Sequence, residues 1–185
     1  MRSAGLDFRG GVSMFGDFSE RARRIVFFSR KLAGRRGASG IEVEHLIEAL
    51  ILEDQGEYAG FFPEMSAPGA AVWELPSHRP FFTAEVAAEI RRGLEPLMFS
   101  TAKAPPTSLD MPVSDAALRV LRDAKELSDL GGEVTMARMR VERAQPLHLL
   151  AAALSDDASA TAEVLKQAGV AKETVIAAIK SGEYS

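Results

Sequence analysis

The sequence predicts an all-α protein, a pseudo-twofold duplicated bundle of about eight helices. Three observations predict it. Apolar residues recur at spacings of three and four along most of the chain, which is the period of one helix face. Several of these stretches open on Ser or Thr and close on Gly, the residues that cap helix starts and ends. An offset of 95 residues then lays Ser114 on Ser19, Ala117 on Ala22, Val120 on Ile25, Leu127 on Leu32 and Gly132 on Gly37.

Residues 1–13 are Gly-rich and aperiodic and read as a flexible N-terminal arm. A first copy is expected over 14–98. Ser19 caps its first helix, Glu20 favours the helix dipole, and Ala22, Ile25, Val26, Ser29, Leu32 and Ala33 form the buried face. Arg35 and Arg36 charge the last turn and Gly37 ends it. Glu42-Val43-Glu44 leads into a second helix with Leu46, Ile47, Ala49, Leu50 and Ile51 inward. Gly and Pro interrupt residues 53–82 repeatedly, while Phe61, Phe62, Trp73, Phe81 and Phe82 are candidates either to line a peptide groove or to seal the core. Thr83 caps a helix to about Leu94, with Val86, Ala87, Ile90 and Leu94 buried.

Residues 99–112 are rich in Pro, Ser and Thr and read as a linker. The second copy is expected over 113–185, the two copies forming one composite domain. Ser114 caps its first helix, which ends at Gly131-Gly132. His148-Leu149-Leu150 repeats His45-Leu46-Ile47 at an offset of 103, so eight residues, EVTMARMR (133–140), are inserted. Residues 133–144 are expected to form an exposed loop or hairpin, and deleting 133–140 to leave stability nearly unchanged. Two short helices follow near 159–168 and 171–180, parted by Gly169.

Composition narrows the function classes. The chain has 185 residues, 46% hydrophobic and 26% charged, with a net charge of -4 and no Cys. There is no thiolate zinc site and no cysteine nucleophile, and a reducing cytoplasm is the expected location. An acidic total argues against a general phosphate-backbone binder. Apolar runs fall short of the roughly 20 residues that span a bilayer. Asp7, Gly10 and Gly11 stand where a secretory signal would run apolar. No Gly precedes a Lys, so a Walker phosphate loop is absent, as are G-x-G-x-x-G and G-x-S-x-G.

Two segments carry a family resemblance. The first copy reads Phe18-Ser19-Glu20-Arg21-Ala22 and then Val43-Glu44-His45-Leu46-Ile47. The second reads Val113-Ser114-Asp115-Ala116-Ala117 and then Leu147-His148-Leu149-Leu150. These resemble the N-terminal (Clp repeat) domain of Clp-type AAA+ unfoldases, whose copies begin near F-[ST]-x-[RK]-A and run to G-T-E-H-[IL]-L. The resemblance covers residues 14 to 180 and is degenerate in the second copy. It implies a non-catalytic protein- or peptide-binding module without cofactor or metal. Its partner would be a Clp substrate, an adaptor, or a Clp protease or ATPase component. Since no ATPase module is present, the chain is expected to be a stand-alone version or a fragment of a longer protein.

The resemblance also nominates Ser19 and Glu44 as ligand-binding residues. Some members of the family bind phosphorylated arginine, with a Glu on the guanidinium and a Ser or Thr near the first cap close to the phosphate. The chemistry suits them: a carboxylate matches the planar guanidinium fork, and a helix N-terminus favours an anion. The second copy keeps Ser114 but has Leu147 for the Glu, which places the ligand on the first copy. Glu44 read by itself is an acidic first-turn residue. Two other classes stay open. Glu44, His45 and His148 suggest a small hydrolase or metal enzyme, although Ala49 stands where a zinc-protease helix needs its second His. The basic run Arg21, Arg23, Arg24, Arg30, Lys31, Arg35 and Arg36 suggests a nucleic-acid or acidic-protein face, with no aromatic expected among them.

Overall fold

The computed structural model describes residues 16–58, 79–98, 111–130 and 143–182. Among these lie seven helices: α1 (Glu20–Arg35), α2 (Val43–Asp54), α3 (Ala84–Leu94), α4 (Asp115–Leu130), α5 (Pro146–Ala153), α6 (Ala160–Gln167) and α7 (Lys172–Ser181). The expected arm, most of the linker, residues 133–140 and the aromatics Phe61, Phe62 and Trp73 lie outside the described residues, as do His78 and Gly131-Gly132.

The caps form as their residues dictate. Ser19 Oγ accepts from the Ala22 amide at 3.2 Å, and Ser114 Oγ accepts from the Ala117 amide at 3.2 Å. Thr83 Oγ1 does the same for Val86 at 3.3 Å. Gly37, with φ 70, turns the chain out of α1 in a conformation that costs most other residues a clash at Cβ.

The core is built on α2 and α5. Every residue of α5 is buried, and in α2 only Glu44 is even partly exposed. α1 packs on α2 and α4 packs on α5, while α3 leans on α2 and α6, and α7 on α5. On α1 the buried face is Ala22, Ile25, Phe28, Ser29, Leu32 and Ala33, with Val26 half-buried against the core. Phe28, absent from the expected face, stacks on Tyr58 with ring centroids 3.9 Å apart.

The two copies cross at their helix starts. Phe18 pairs with Ala144 in one isolated parallel bridge and Ile41 pairs with Val113 in another. The Ser19 amide donates to Ala144 O at 3.0 Å and the Ala144 amide to Asp17 O at 2.8 Å. At the equivalent place the Ser114 amide donates to Ile41 O at 3.0 Å and the Ile41 amide to Pro112 O at 2.8 Å. Val113 stands on Phe18 at the offset of 95, and Ala144 on Ile41 at 103, so both sequence offsets reappear as a pseudo-twofold axis. Two sequence readings are corrected here. Ala144, read as the end of an exposed insertion, is fully buried because its backbone joins this bridge. Met111 and Pro112, read as linker, belong to the crossing: Pro112 accepts from Ile41, and Met111 packs against the core.

Candidate binding site

His45 and His148 each sit at the third position of a helix whose N-cap has a polar side chain. His45 Nδ1 accepts from the Glu42 amide at 3.1 Å, and His148 Nδ1 accepts from the Gln145 amide at 3.0 Å. The Glu42 and Gln145 side chains return the favour to the third residue's amide, completing a capping box in each copy. His45 is 2% exposed. Its imidazole is held down to about 4, first by burial and further by Arg36, with Glu42 opposing. A neutral ring bonded through Nδ1 to its own helix start is a structural group, and it leaves Glu44 without a histidine partner.

Glu44 points elsewhere. Its Oε1 accepts from Thr161 Oγ1 at 3.0 Å, joining α2 to α6 of the other copy. Thr161 is fully buried and Glu44 half-buried, so the carboxylate stands at the rim of the contact between copies. At the twin position Leu147 is buried, an apolar plug where the first copy keeps a charge. Thr161 carried no sequence signal, since nothing local marks a hydroxyl that meets its partner 117 residues away.

The structure does not bring Ser19 and Glu44 together. Arg21, two residues into α1, bonds Glu53 near the end of α2, so the two helices run antiparallel. Glu44 lies nine residues before Glu53 in sequence, about 13 Å along the helix axis at 1.5 Å per residue. Ser19 instead adjoins Ala144 at the start of α5, and Ser114 adjoins Ile41 at the start of α2. The cap nearest Glu44 thus comes from the second copy. The chain thus exchanges its helix starts across the pseudo-twofold, Ser19 lying against the start of α5 and Ser114 against the start of α2.

The basic run on α1 also divides. Arg21 grips Glu53 with two bonds of 2.9 and 2.8 Å, and buried Arg24 adds a third to the same carboxylate at 3.2 Å. Arg36 bridges Glu48 and Glu95, each at 3.2 Å. These three arginines hold α1 to α2 and α3 and are not part of a solvated face. Asp54 accepts from the Phe81 and Phe82 amides at 2.8 and 3.0 Å, which fixes the entry to α3. Phe82 is thereby buried as a core seal, while half-buried Phe81 edges a cleft of about 180 Å³. The cleft runs between Thr83 and Val86 of the first copy and Ala168–Ala171 and Thr174 of the second. Among the described residues no group of three or more His, Cys, Asp or Glu is placed to hold a metal. No described helix is long and apolar enough to cross a membrane.

No family model matches the sequence, and no curated protein matches it. Solved structures do match. The N-terminal domain of the caseinolytic protease associated chaperone ClpD from Arabidopsis thaliana is 24% identical, with a TM-score of 0.56 over 90% of this chain and 97% of that one. The Hsp104 N-terminal domain from Candida albicans is 17% identical, with a TM-score of 0.54 over 87% of each chain. A protein of a malarial protein secretion system is 16% identical, with a TM-score of 0.60 over 90% of this chain and 95% of that one. At these identities the likeness is one of architecture: the chain has the fold of the N-terminal domains of Clp-type chaperones.

Proposed function

We propose that this chain is a non-catalytic recognition module that binds a protein or peptide and serves substrate or adaptor recognition in Clp-type unfolding or proteolysis in the cytoplasm. The observation that carries the reading is Glu44, a half-buried carboxylate at the seam between copies, held by Thr161 and set beside the helix start that Ser114 caps. Such a carboxylate suits a guanidinium, and the adjoining helix start suits an anion attached to it. The ligand is arginine or phosphoarginine displayed on a peptide, taken at a site built from both copies. Histidine chemistry has less support, because His45 and His148 both turn Nδ1 to their own helix starts.

Calorimetry of the intact chain with a phosphoarginine peptide tests this. Glu44→Gln should weaken binding about 10- to 150-fold, the cost of one charge-assisted contact of roughly 1.5–3 kcal/mol. Ser114→Ala should weaken it too, while Ser19→Ala should change stability but not affinity. Equal binding by parent and Glu44→Gln chains sinks the assignment.

A further inference from the structure

Among the described residues three Ser or Thr side chains are buried: Ser29, Ser128 and Thr161. A buried hydroxyl must give its proton to a partner, and within a helix the nearest acceptor is a carbonyl three or four residues back. Ser29 and Ser128 follow that rule, donating to Val26 O and Lys125 O at 2.7 Å each. Thr161 does not. It stands second in α6, so the residues three and four back lie before its helix begins. Its hydroxyl crosses to the other copy and donates to Glu44 Oε1 at 3.0 Å.

The duplication supplies a control. His45 and His148 keep the same capping box, yet the residue before each differs: Glu44 in the first copy, and buried, apolar Leu147 in the second. The second copy closes its seam with no carboxylate at that place, so the fold does not require one. The other acids of α2 offer a contrast. Glu48 is paired with Arg36, and Glu53 with Arg21 and Arg24, so arginines offset their charge. Glu44 is held by a neutral hydroxyl, which fixes the carboxylate and leaves its charge unpaired. Thr161 is fully buried while Glu44 is half-buried at the rim. Any effect of Thr161 on a ligand therefore passes through the carboxylate.

We propose that Thr161 is a positioning residue for guanidinium recognition, its buried hydroxyl presetting the Glu44 carboxylate to receive an arginine or phosphoarginine side chain. This rests on the proposed function, in which Glu44 is the carboxylate that meets the guanidinium. A glutamate side chain turns about three bonds, and a free one must be immobilised as the ligand arrives. Tied at Oε1 to a helix of the other copy, Glu44 is ordered before binding, and Oε2 remains for the ligand. Pre-organisation of this kind tightens binding without adding a contact. The binding carboxylate thus belongs to the first copy and its support to the second.

Two substitutions separate the hydroxyl from the methyl group. Thr161→Val keeps the shape and removes the hydroxyl, and Thr161→Ser keeps the hydroxyl and removes a buried methyl. Calorimetry of the intact chains, with a peptide carrying one phosphoarginine and with the same peptide carrying arginine, is paired with urea midpoints. Thr161→Val should bind roughly 2- to 12-fold more weakly than the parent, the cost of ordering one side chain, with a midpoint near the parent's. Thr161→Ser should recover most of the affinity although its midpoint falls, because a core methyl is lost. Affinity and stability then move apart, whereas a threonine that only supports the fold would move them together. Parental affinity in Thr161→Val, or equal weakening in both variants, overturns the proposal and leaves the role of Glu44 standing. No binding by the parent, or parental affinity in Glu44→Gln, removes the role of Glu44 and the proposal with it.

Discussion

Two buried ionisable residues set the sharpest expectations. Glu53 is fully buried with Arg21 and Arg24 on its carboxylate. Removing it strands two guanidinium groups, and breaking a buried pair in this way costs about 3–5 kcal/mol. Glu53→Ala should therefore lower the urea midpoint strongly, and a loss near that of an ordinary surface substitution would show the arginines to be solvated. His45 acts through protons. Its folded value of about 4 lies below the ordinary 6.5, so the unfolded chain takes up the proton first. The stabilisation is whole above 6.5 and drains as the pH falls toward 4, by about 3 kcal/mol. His45→Gln keeps an acceptor for the Glu42 amide and cannot titrate. Its stability should fall less than the parent's between pH 7 and pH 4.5 in parallel denaturant curves. At this scale the caps Ser19 and Thr83 were legible, because a cap is read within one turn. Arg24 was not, since a helical wheel does not reveal that a carboxylate waits on the neighbouring helix.

Among the elements, α2 diverges most from its reading. Its reading named only apolar residues as inward, yet Glu48, Glu53 and Asp54 are all buried. Arg36, the Arg21–Arg24 pair and the backbone amides of Phe81 and Phe82 each bond one of them, Arg36 reaching a single oxygen of Glu48. Amphipathic periodicity assumes that charge faces water, and long-range pairing overrides it here. α3 depends on a small residue. A Cβ on Gly93 would come within 2.6 Å of Val164 Cγ1, so α3 lies on α6 at a distance only glycine permits. Gly→Ala inside a helix ordinarily gains about 0.5–1 kcal/mol, but overpacking a stiff valine costs about 1–3 kcal/mol. The clash wins. Gly93→Ala should lower the melting temperature, and adding Val164→Ala should recover part of the loss. A rise in the single variant would mean that α6 shifts away freely.

For the whole molecule, the duplication was visible in two numerical offsets, and the structure turns both into the same axis. What the offsets could not say is which copy's helix start each bridge completes. Strand pairing between segments far apart in sequence has no local signature, so the sequence could not place the Ser114 helix start against α2 or that of Ser19 against α5. Neither copy closes its own crossing. Chains of 14–98 and of 113–185 made separately should each show weak helical signal by circular dichroism, and mixing them should restore it. Full helicity in either half alone would mean that the crossing is dispensable. The same bridges put a clock on biosynthesis. Phe18 finds Ala144 only after most of the chain has been made, and a ribosome adds about 5–20 residues per second. For roughly 6–25 seconds the start of α1 waits without its strand partner. A growing chain arrested before Ala144 should offer that start to a protease, and one arrested well beyond it should not.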